Sequence, residues 1–207
     1  AEETNLEIGV PVSPMLCQRL KTTKEMIEKM GEVGVEAKFD GQRVQIHFKR
    51  DGEKWRVRAF TRNLDEISYM IPELDGVGDE LAADEVILDS EAVGYDPETG
   101  EILPFQKTMT RKRKHGVKDQ ADKVPLKFYV FDVLYIDGKS LVDENYKKRR
   151  ECLEKVVKEG SLLVVDEHWE TDDAEEIREH HKELVEEGLE GVIVKRLDSR
   201  YVPGRTG

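Results

Sequence analysis

One lysine stands where covalent chemistry could occur. Lys38 lies in Glu36-Ala37-Lys38-Phe39-Asp40-Gly41-Gln42-Arg43, just ahead of an Asp-Gly turn. Its flanks have strand patterning: Val33, Val35 and Ala37 before it, and Val44, Ile46 and Phe48 alternating with polar residues after it. An amine held at a strand end becomes nucleophilic once burial or nearby cations lower its pKa from about 10.4. The same composition also describes an ordinary surface hairpin. What separates the two readings is whether the chain supplies phosphate, metal and base partners. Asp89 and Glu91 are the first candidates: two apart in a strand-like run, they point to one face. Burying such a pair costs several kcal/mol unless a cation or donors meet it, so the run is either a solvent-facing strand or part of a site. Lys107, Arg111, Lys112, Arg113, Lys114 and Lys118 follow, with no carboxylate between Phe105 and Lys118. That segment is either a solvated loop or a loop that contacts phosphate. His180 and His181 are adjacent in a helical pattern, cannot face one ligand, and are expected on the surface.

The elements that must position these residues are legible in outline. The patterning predicts a helix over 23–30, with Thr22 or Thr23 as cap, Met26, Ile27 and Met30 as its apolar stripe, and Gly31 at its end. Strands 43–50 and 54–61 are joined at Asp51-Gly52. A short helix over 64–70, stopped by Pro72, and another over 79–84 precede a strand over 86–93. A long strand spans 126–136, turned by Asp137-Gly138. Then come a helix over 144–158 capped by Asp143 and ended by Gly160, and a strand over 162–168. The last elements are a helix over 173–187 with an Asp172–Glu175 capping box, and a strand over 190–196. Hairpins with helices between them predict an α+β fold of mainly antiparallel or mixed sheets flanked by helices. Residues 1–13 read as an extended lead-in and 14–207 as the domain.

The whole chain has 207 residues, a hydrophobic content of 38%, an equal charged content and a net charge of −12. That is a globular composition. The net charge argues against a protein that coats itself with nucleic acid, but leaves room for a local basic face. There is no long apolar run and no signal-like amino terminus. Cys17 and Cys152 lack paired spacing and are expected to be structural thiols in a reducing, cytoplasmic compartment. Abundant Glu and Lys with scarce Asn fit a thermophilic source.

Five motifs occur in order: Lys38-Phe39-Asp40-Gly41-Gln42-Arg43, Thr61-Arg62-Asn63, Leu88-Asp89-Ser90-Glu91-Ala92-Val93, Tyr129-Val130-Phe131-Asp132, and Glu190-Gly191-Val192-Ile193-Val194-Lys195. With them, from about Pro11 to Gly207, the chain resembles the nucleotidyltransferase (adenylation) domain of ATP-dependent DNA ligases, most of all the archaeal ones. Pro104-Phe105-Gln106 leading into Arg111-Lys112-Arg113-Lys114 also resembles the ligase pattern.

The resemblance implies a ligase-type nucleotidyltransferase fold, ATP and Mg²⁺ as cofactors, and nicked double-stranded DNA as partner. It assigns Lys38 as the residue that attacks the ATP α-phosphate to form lysyl-AMP. Glu36 would contact the adenine amino group and Arg43 the ribose and phosphates. Phe131 would stack on the adenine, and Lys195 would meet the AMP phosphate. Glu91 and Glu190 would be the metal-site acids, Glu91 also lying at the ribose. Arg62 would contact the 5′-phosphate of the nick or the adenylate, and Lys107, Arg111, Lys112, Arg113 and Lys114 the DNA backbone.

Strand parity adds two conditions. Phe131 and Asp132 face opposite ways, with Phe131 taken as the pocket residue and Asp132 as support. Glu190 and Lys195 can both reach the site only through a bulge or a strand beginning after Glu190. The resemblance also implies a Trp-x-Lys-x-Lys motif and an oligonucleotide-binding barrel beyond Gly207, hence an excised, weakly self-adenylating domain. A monomer is expected, without membrane association, and a sliding clamp only for a full-length enzyme. The rival readings are an RNA ligase or capping-type nucleotidyltransferase, which share the Lys-x-Asp-Gly core, and a non-catalytic nucleic-acid-binding module.

Overall fold

The computed structural model of the protein describes residues 6–15, 23–105, 124–158, 160 and 162–204. Along the chain run α1 (Thr23–Met30), β1 (Val33–Lys38), β2 (Gln42–Asp51), β3 (Lys54–Phe60), β4 (Glu85–Gly94), β5 (Leu126–Ile136), β6 (Lys139–Ser140), α2 (Tyr146–Val156), β7 (Leu163–Val165), β8 (His168–Thr171), α3 (Ala174–Glu186) and β9 (Gly191–Arg196). They build two sheets. The smaller has the order β8-β1-β9; the larger has β3-β2-β4-β5-β6, with β7 beside β5. All pairings are antiparallel except β5 with β7, which makes the fold a mixed α+β arrangement as expected.

In the small sheet β1 is central, and its two-residue period divides its labour. Val33 and Val35 pack with Ile27, Met30 and Ile177 of the covering helices, and Ala37 with Leu184 and Leu189. Glu36 and Lys38 therefore turn to the opposite face. In the large sheet Val44, Ile46 and Phe48 of β2 join Val86, Leu88, Phe128 and Val130 in the main core, closed by Leu153 and Val156 of α2. The other face carries a smaller cluster of Val12, Ile87, Leu134, Val142 and Tyr201.

The lead-in is thus packed rather than free. Val12 N donates to Gln45 Oε1 at 2.8 Å, and Gln45 Nε2 returns a bond to Val12 O at 3.0 Å. Gly9 N donates to His47 Nδ1 at 3.0 Å. The far end of the chain lies alongside, since Gly204 N donates to Pro14 O at 2.9 Å.

Several local expectations are corrected. The two short helices after β3 are instead 3-10 turns over Ser68–Met70 and Pro72–Glu80, because Pro72 and the glycines at 76 and 78 favour tight turns over a continuous helix. The hairpin turns at Gly52-Glu53, with Asp51 still in the ladder opposite Lys54. α2 is capped by Asn145, not Asp143, and it ends before Val157 rather than at Gly160; α3 is capped by Asp173, not Asp172. The strand expected over 162–168 splits into β7 and β8, which belong to different sheets. Cys17, Met26, the cap of α1 and the basic segment with Lys107, Arg111, Lys112, Arg113, Lys114 and Lys118 lie outside what the structure describes at side-chain level. Among the described residues no helix is long and apolar enough to cross a membrane.

Candidate active site

Pairing of β1 with β9 gathers the first group. Lys38 lies opposite Gly191, and Glu36 opposite Ile193. Glu190 N donates to Lys38 O at 2.9 Å, and the Lys38 ammonium sits 3.4 Å from Glu190 Oε1, both side chains half-exposed. β9 begins at Gly191, whose φ is +143°. Glu190 therefore stands outside the strand, and strand parity no longer separates it from Lys195.

One repeat deeper along the same face of β1, Glu36 is fully buried. Its Oε1 accepts from Tyr146 Oη at 2.6 Å, and the Lys195 ammonium lies 3.3 Å from its Oε2. Lys195 also rests over two aromatic rings, 5.0 Å from the Phe131 centroid and 5.4 Å from that of Tyr146. Such cation–ring contacts are worth about 0.5–2 kcal/mol. Phe131 is thus on the pocket side. Asp132 faces away, buried against Arg149, whose Nε donates to it at 2.8 Å. Burial pushes the Asp132 carboxyl up, and the Arg149 charge opposes that shift. Arg149 also reaches Glu144 O and Ser199 O, so it ties α2 to β5 and to the turn after β9.

The second group forms where β2 and β4 pair. Gly41 lies so close to β4 that a Cβ there would overlap the Ala92 carbonyl, which accounts for glycine in the Asp-Gly turn. Its backbone N–H donates to Glu91. Glu91 is opposite Arg43 in the ladder. Burial pushes the Glu91 carboxyl up to about 7, with the charges of Glu190 and Asp40 acting in the same sense and Gly41 and Arg43 against it. Glu91, Glu190 and Asp40 therefore crowd negative charge near Lys38. Among the described residues no group of three or more His, Cys, Asp or Glu side chains has metal-holding geometry. Two carboxylates beside a phosphate-bearing substrate are nevertheless a sufficient donor set for Mg²⁺, which keeps waters in its shell.

Arg43 is also committed within the protein. It pairs with Asp89, and its Nη2 donates to Tyr201 Oη at 3.2 Å, while Tyr201 Oη donates to Asp89 Oδ2 at 2.7 Å. Arg62 is exposed in the turn after β3, and the described contacts do not join it to this cluster. His180 is not a plain surface residue: its ring stacks on Trp169 at 4.1 Å and 17°. His181 is exposed as expected.

Tyr146, Arg149, Tyr201 and Asp166 are components that the motifs did not reveal. Asp166 is buried between β7 and β8; its N donates to Val130 O at 2.8 Å, and its own carbonyl accepts from Arg150 Nη2 at 2.6 Å. Burial and the Glu36 charge push its carboxyl up to about 9. The available signal was the Tyr146-x-x-Arg149-Arg150 spacing, which puts all three on one helix face pointing inward.

The arrangement offers an amine beside the Glu190 carboxylate and, on the same face, an aromatic ring and a buried carboxylate bridged by a second ammonium. Comparison with known proteins bears on it. The family described as the ATP dependent DNA ligase domain matches residues 14–207. The chain is 42% identical over 210 residues to a DNA ligase of Methanopyrus kandleri, covering 99% of this chain and 37% of that protein. It is 37% identical over 204 residues to a probable DNA ligase of Dictyoglomus turgidum, covering 98% of this chain and 34% of that protein. It therefore spans about a third of the length of these relatives. Among solved structures, a mycobacterial DNA ligase D complexed with ATP and MES superposes with a TM-score of 0.69 at 29% identity, over 95% of this chain and 57% of that one. The bacteriophage T7 ATP-dependent DNA ligase complex with ATP superposes at 0.56 and 19% identity, over 96% of this chain and 68% of that one, a likeness of fold.

Proposed function

The chain belongs to the ATP-dependent DNA ligase domain family, and on that footing we propose that it is the adenylating part of an enzyme that seals nicks in duplex DNA, with Lys38 as nucleophile. The lone pair of Lys38 Nζ attacks the α-phosphorus of ATP. A P–N bond forms, the P–O bond to the leaving pyrophosphate breaks, and the amine gives up a proton. An oxygen of the nick 5′-phosphate then takes the AMP from Lys38, breaking the P–N bond. Attack by the 3′-hydroxyl on that phosphate releases AMP and closes the strand.

Within this scheme Glu190 orients the Lys38 amine, Phe131 stacks the base and Glu36 accepts from its amino group. Lys195, Arg43 and Arg62 face phosphate oxygens or ribose. Lys107, Arg111, Lys112, Arg113 and Lys114 are assigned to the DNA backbone, where contacts position a duplex without reading its sequence. Glu91 and Glu190 are the residues that would hold Mg²⁺, because their oxygen donors and crowded charge suit a hard cation. When bound, the ion supplies charge neutralisation at the α-phosphate and the leaving pyrophosphate.

The observation that carries the reading is the division of β1: its buried face builds the core, while Glu36 and Lys38 share the other face with Lys195 and Glu190 beside them. Incubation with ATP and Mg²⁺ is expected to add the mass of one AMP to the protein, on a peptide containing Lys38. Lys38→Ala is expected to abolish the label; its persistence would exclude Lys38 as nucleophile. Nicked DNA is the expected acceptor, in keeping with the relatives named as DNA ligases. Preferential transfer to nicked RNA would instead favour the RNA-ligase reading.

A further inference from the structure

We propose that Tyr146 is a positioning residue that sets base selectivity, by fixing the Glu36 carboxylate with one oxygen occupied and the other turned to the ligand. The proposal rests on the reading of Glu36 as the group that meets the base. Four observations support it. First, the Tyr146 hydroxyl donates to Glu36 Oε1 at 2.6 Å, and both residues are fully buried. Oε1 also accepts from Lys195, whereas Oε2 has that ammonium at ion-pair distance and receives no hydrogen bond from the protein. Oε2 is thus the carboxylate oxygen that faces only the Lys195 ammonium, and it becomes an open acceptor when that ammonium moves to a phosphate.

Second, the ring has no room to leave. It fills the space above Gly34 so closely that a Cβ at that position would overlap its Cε1. Third, Tyr146 opens α2 directly after the Asn145 cap, where the backbone is held on both sides. Fourth, the same helix is pinned by Arg149 to Asp132 and by Arg150 to the Asp166 carbonyl. The hydroxyl therefore arrives from a rigid element rather than a loop.

The chemistry follows from hydrogen-bond polarity. A 6-aminopurine presents an N–H donor to a carboxylate oxygen, and a 6-oxopurine presents an acceptor, which a fixed carboxylate repels. A site built to receive an N–H rejects an analogue that lacks it, because its own buried acceptor is left unpaired. This discrimination needs the carboxylate held in one orientation. Without the Tyr146 hydroxyl, Glu36 loses the bond that fixes Oε1, and the polarity that the site presents blurs.

The test is the rate of Lys38 labelling from ATP and from purine riboside triphosphate, which lacks the 6-amino group. For the unaltered protein the ratio of kcat/KM values is expected to be on the order of 10⁴ in favour of ATP. In Tyr146→Phe the value for ATP is expected to fall while that for purine riboside triphosphate changes little, shrinking the ratio at least tenfold. In a Glu36→Gln background the same substitution is expected to have no further effect on the ratio, since the hydroxyl acts through the carboxylate. If Tyr146→Phe does not fold, 4-aminophenylalanine at 146 supplies an N–H donor in the same place, and it is expected to keep the ratio of the unaltered protein.

An unchanged ratio in Tyr146→Phe, a further loss in the Glu36→Gln background, or a collapsed ratio with 4-aminophenylalanine overturns the proposal while leaving the function intact. Equal use of the two triphosphates by the unaltered protein overturns the assignment of Glu36 to the base, and this proposal with it. Absence of any label overturns the adenylation reading, and with it this proposal.

Discussion

The Lys195 ammonium lies over Phe131 and against Glu36, which is the ground that a stacked base would occupy under the proposed function. Lys195 must therefore leave the ring as the nucleotide enters and move toward its phosphate. Replacing it with methionine removes the competitor and also a cation for the phosphate. Lys195→Met is expected to bind adenosine, which has no phosphate, about tenfold more tightly by calorimetry, in line with the loss of a cation–ring contact of about 1–2 kcal/mol. It is expected to transfer AMP more slowly. Weaker adenosine binding would show that Lys195 helps to build the base pocket rather than filling it. At this scale the sequence marks Lys38, Glu36, Phe131, Lys195, Glu91 and Glu190 as candidates, because each sits in a short motif with its own spacing. Tyr146, Arg149, Asp166 and Tyr201 have no such marking. Tyr146 meets Glu36 across 110 positions of chain, and the spacing that puts Tyr146, Arg149 and Arg150 on one helix face does not tell which group each of them meets.

β2 shows how one strand serves two environments. Val44, Ile46 and Phe48 fill the main core, while buried Gln45 and His47 and the partly buried Arg43 form a polar row on the other face. His47 accepts from Gly9 N through Nδ1, and its Nε2 lies 2.9 Å from Gln45 Oε1, so the neutral ring uses both nitrogens. Burial lowers its pKa to about 4 from 6.5. The unfolded chain then binds the proton more readily between those values, so the contribution is complete above pH 6.5 and lost as pH falls towards 4. Acidification across that window is expected to cost about 3 kcal/mol, measured as a falling denaturation midpoint. His47→Gln is expected to flatten the pH dependence; an equal slope in the variant would place the titration elsewhere. Strands were the legible elements because their alternation is strict and their turns carry glycine. The helices expected over 64–70 and 79–84 give way to 3-10 runs because Pro72 and the glycines at 76 and 78 decide the local geometry. A single apolar run over 162–168 does not reveal that Asp166 and Glu167 carry the chain from one sheet to the other.

The described residues build two sheets and three helices, held together by a few buried polar links: Arg149–Asp132, Tyr146–Glu36 and the Arg43–Asp89–Tyr201 node. The segment 6–15 is part of this frame. Removing the residues up to Val12 would leave the Gln45 amide and His47 without their backbone partners and expose the site of a buried valine. At about 1–3 kcal/mol for each of the two stranded polar groups and 1.5–3 kcal/mol for the valine, a loss of roughly 4–9 kcal/mol is expected in urea denaturation. A loss under 1 kcal/mol would show the segment to be a passenger. Its position has a mechanical consequence. Met15 N reaches the Tyr201 hydroxyl, and Gly204 N reaches the Pro14 carbonyl, so segment 6–15 is tied to the segment that follows β9. Tyr201 in turn grips Arg43 and Asp89. Any displacement of either segment is carried through one tyrosine to β2, the strand that follows the nucleophile, as a cable stay carries deck load to its mast.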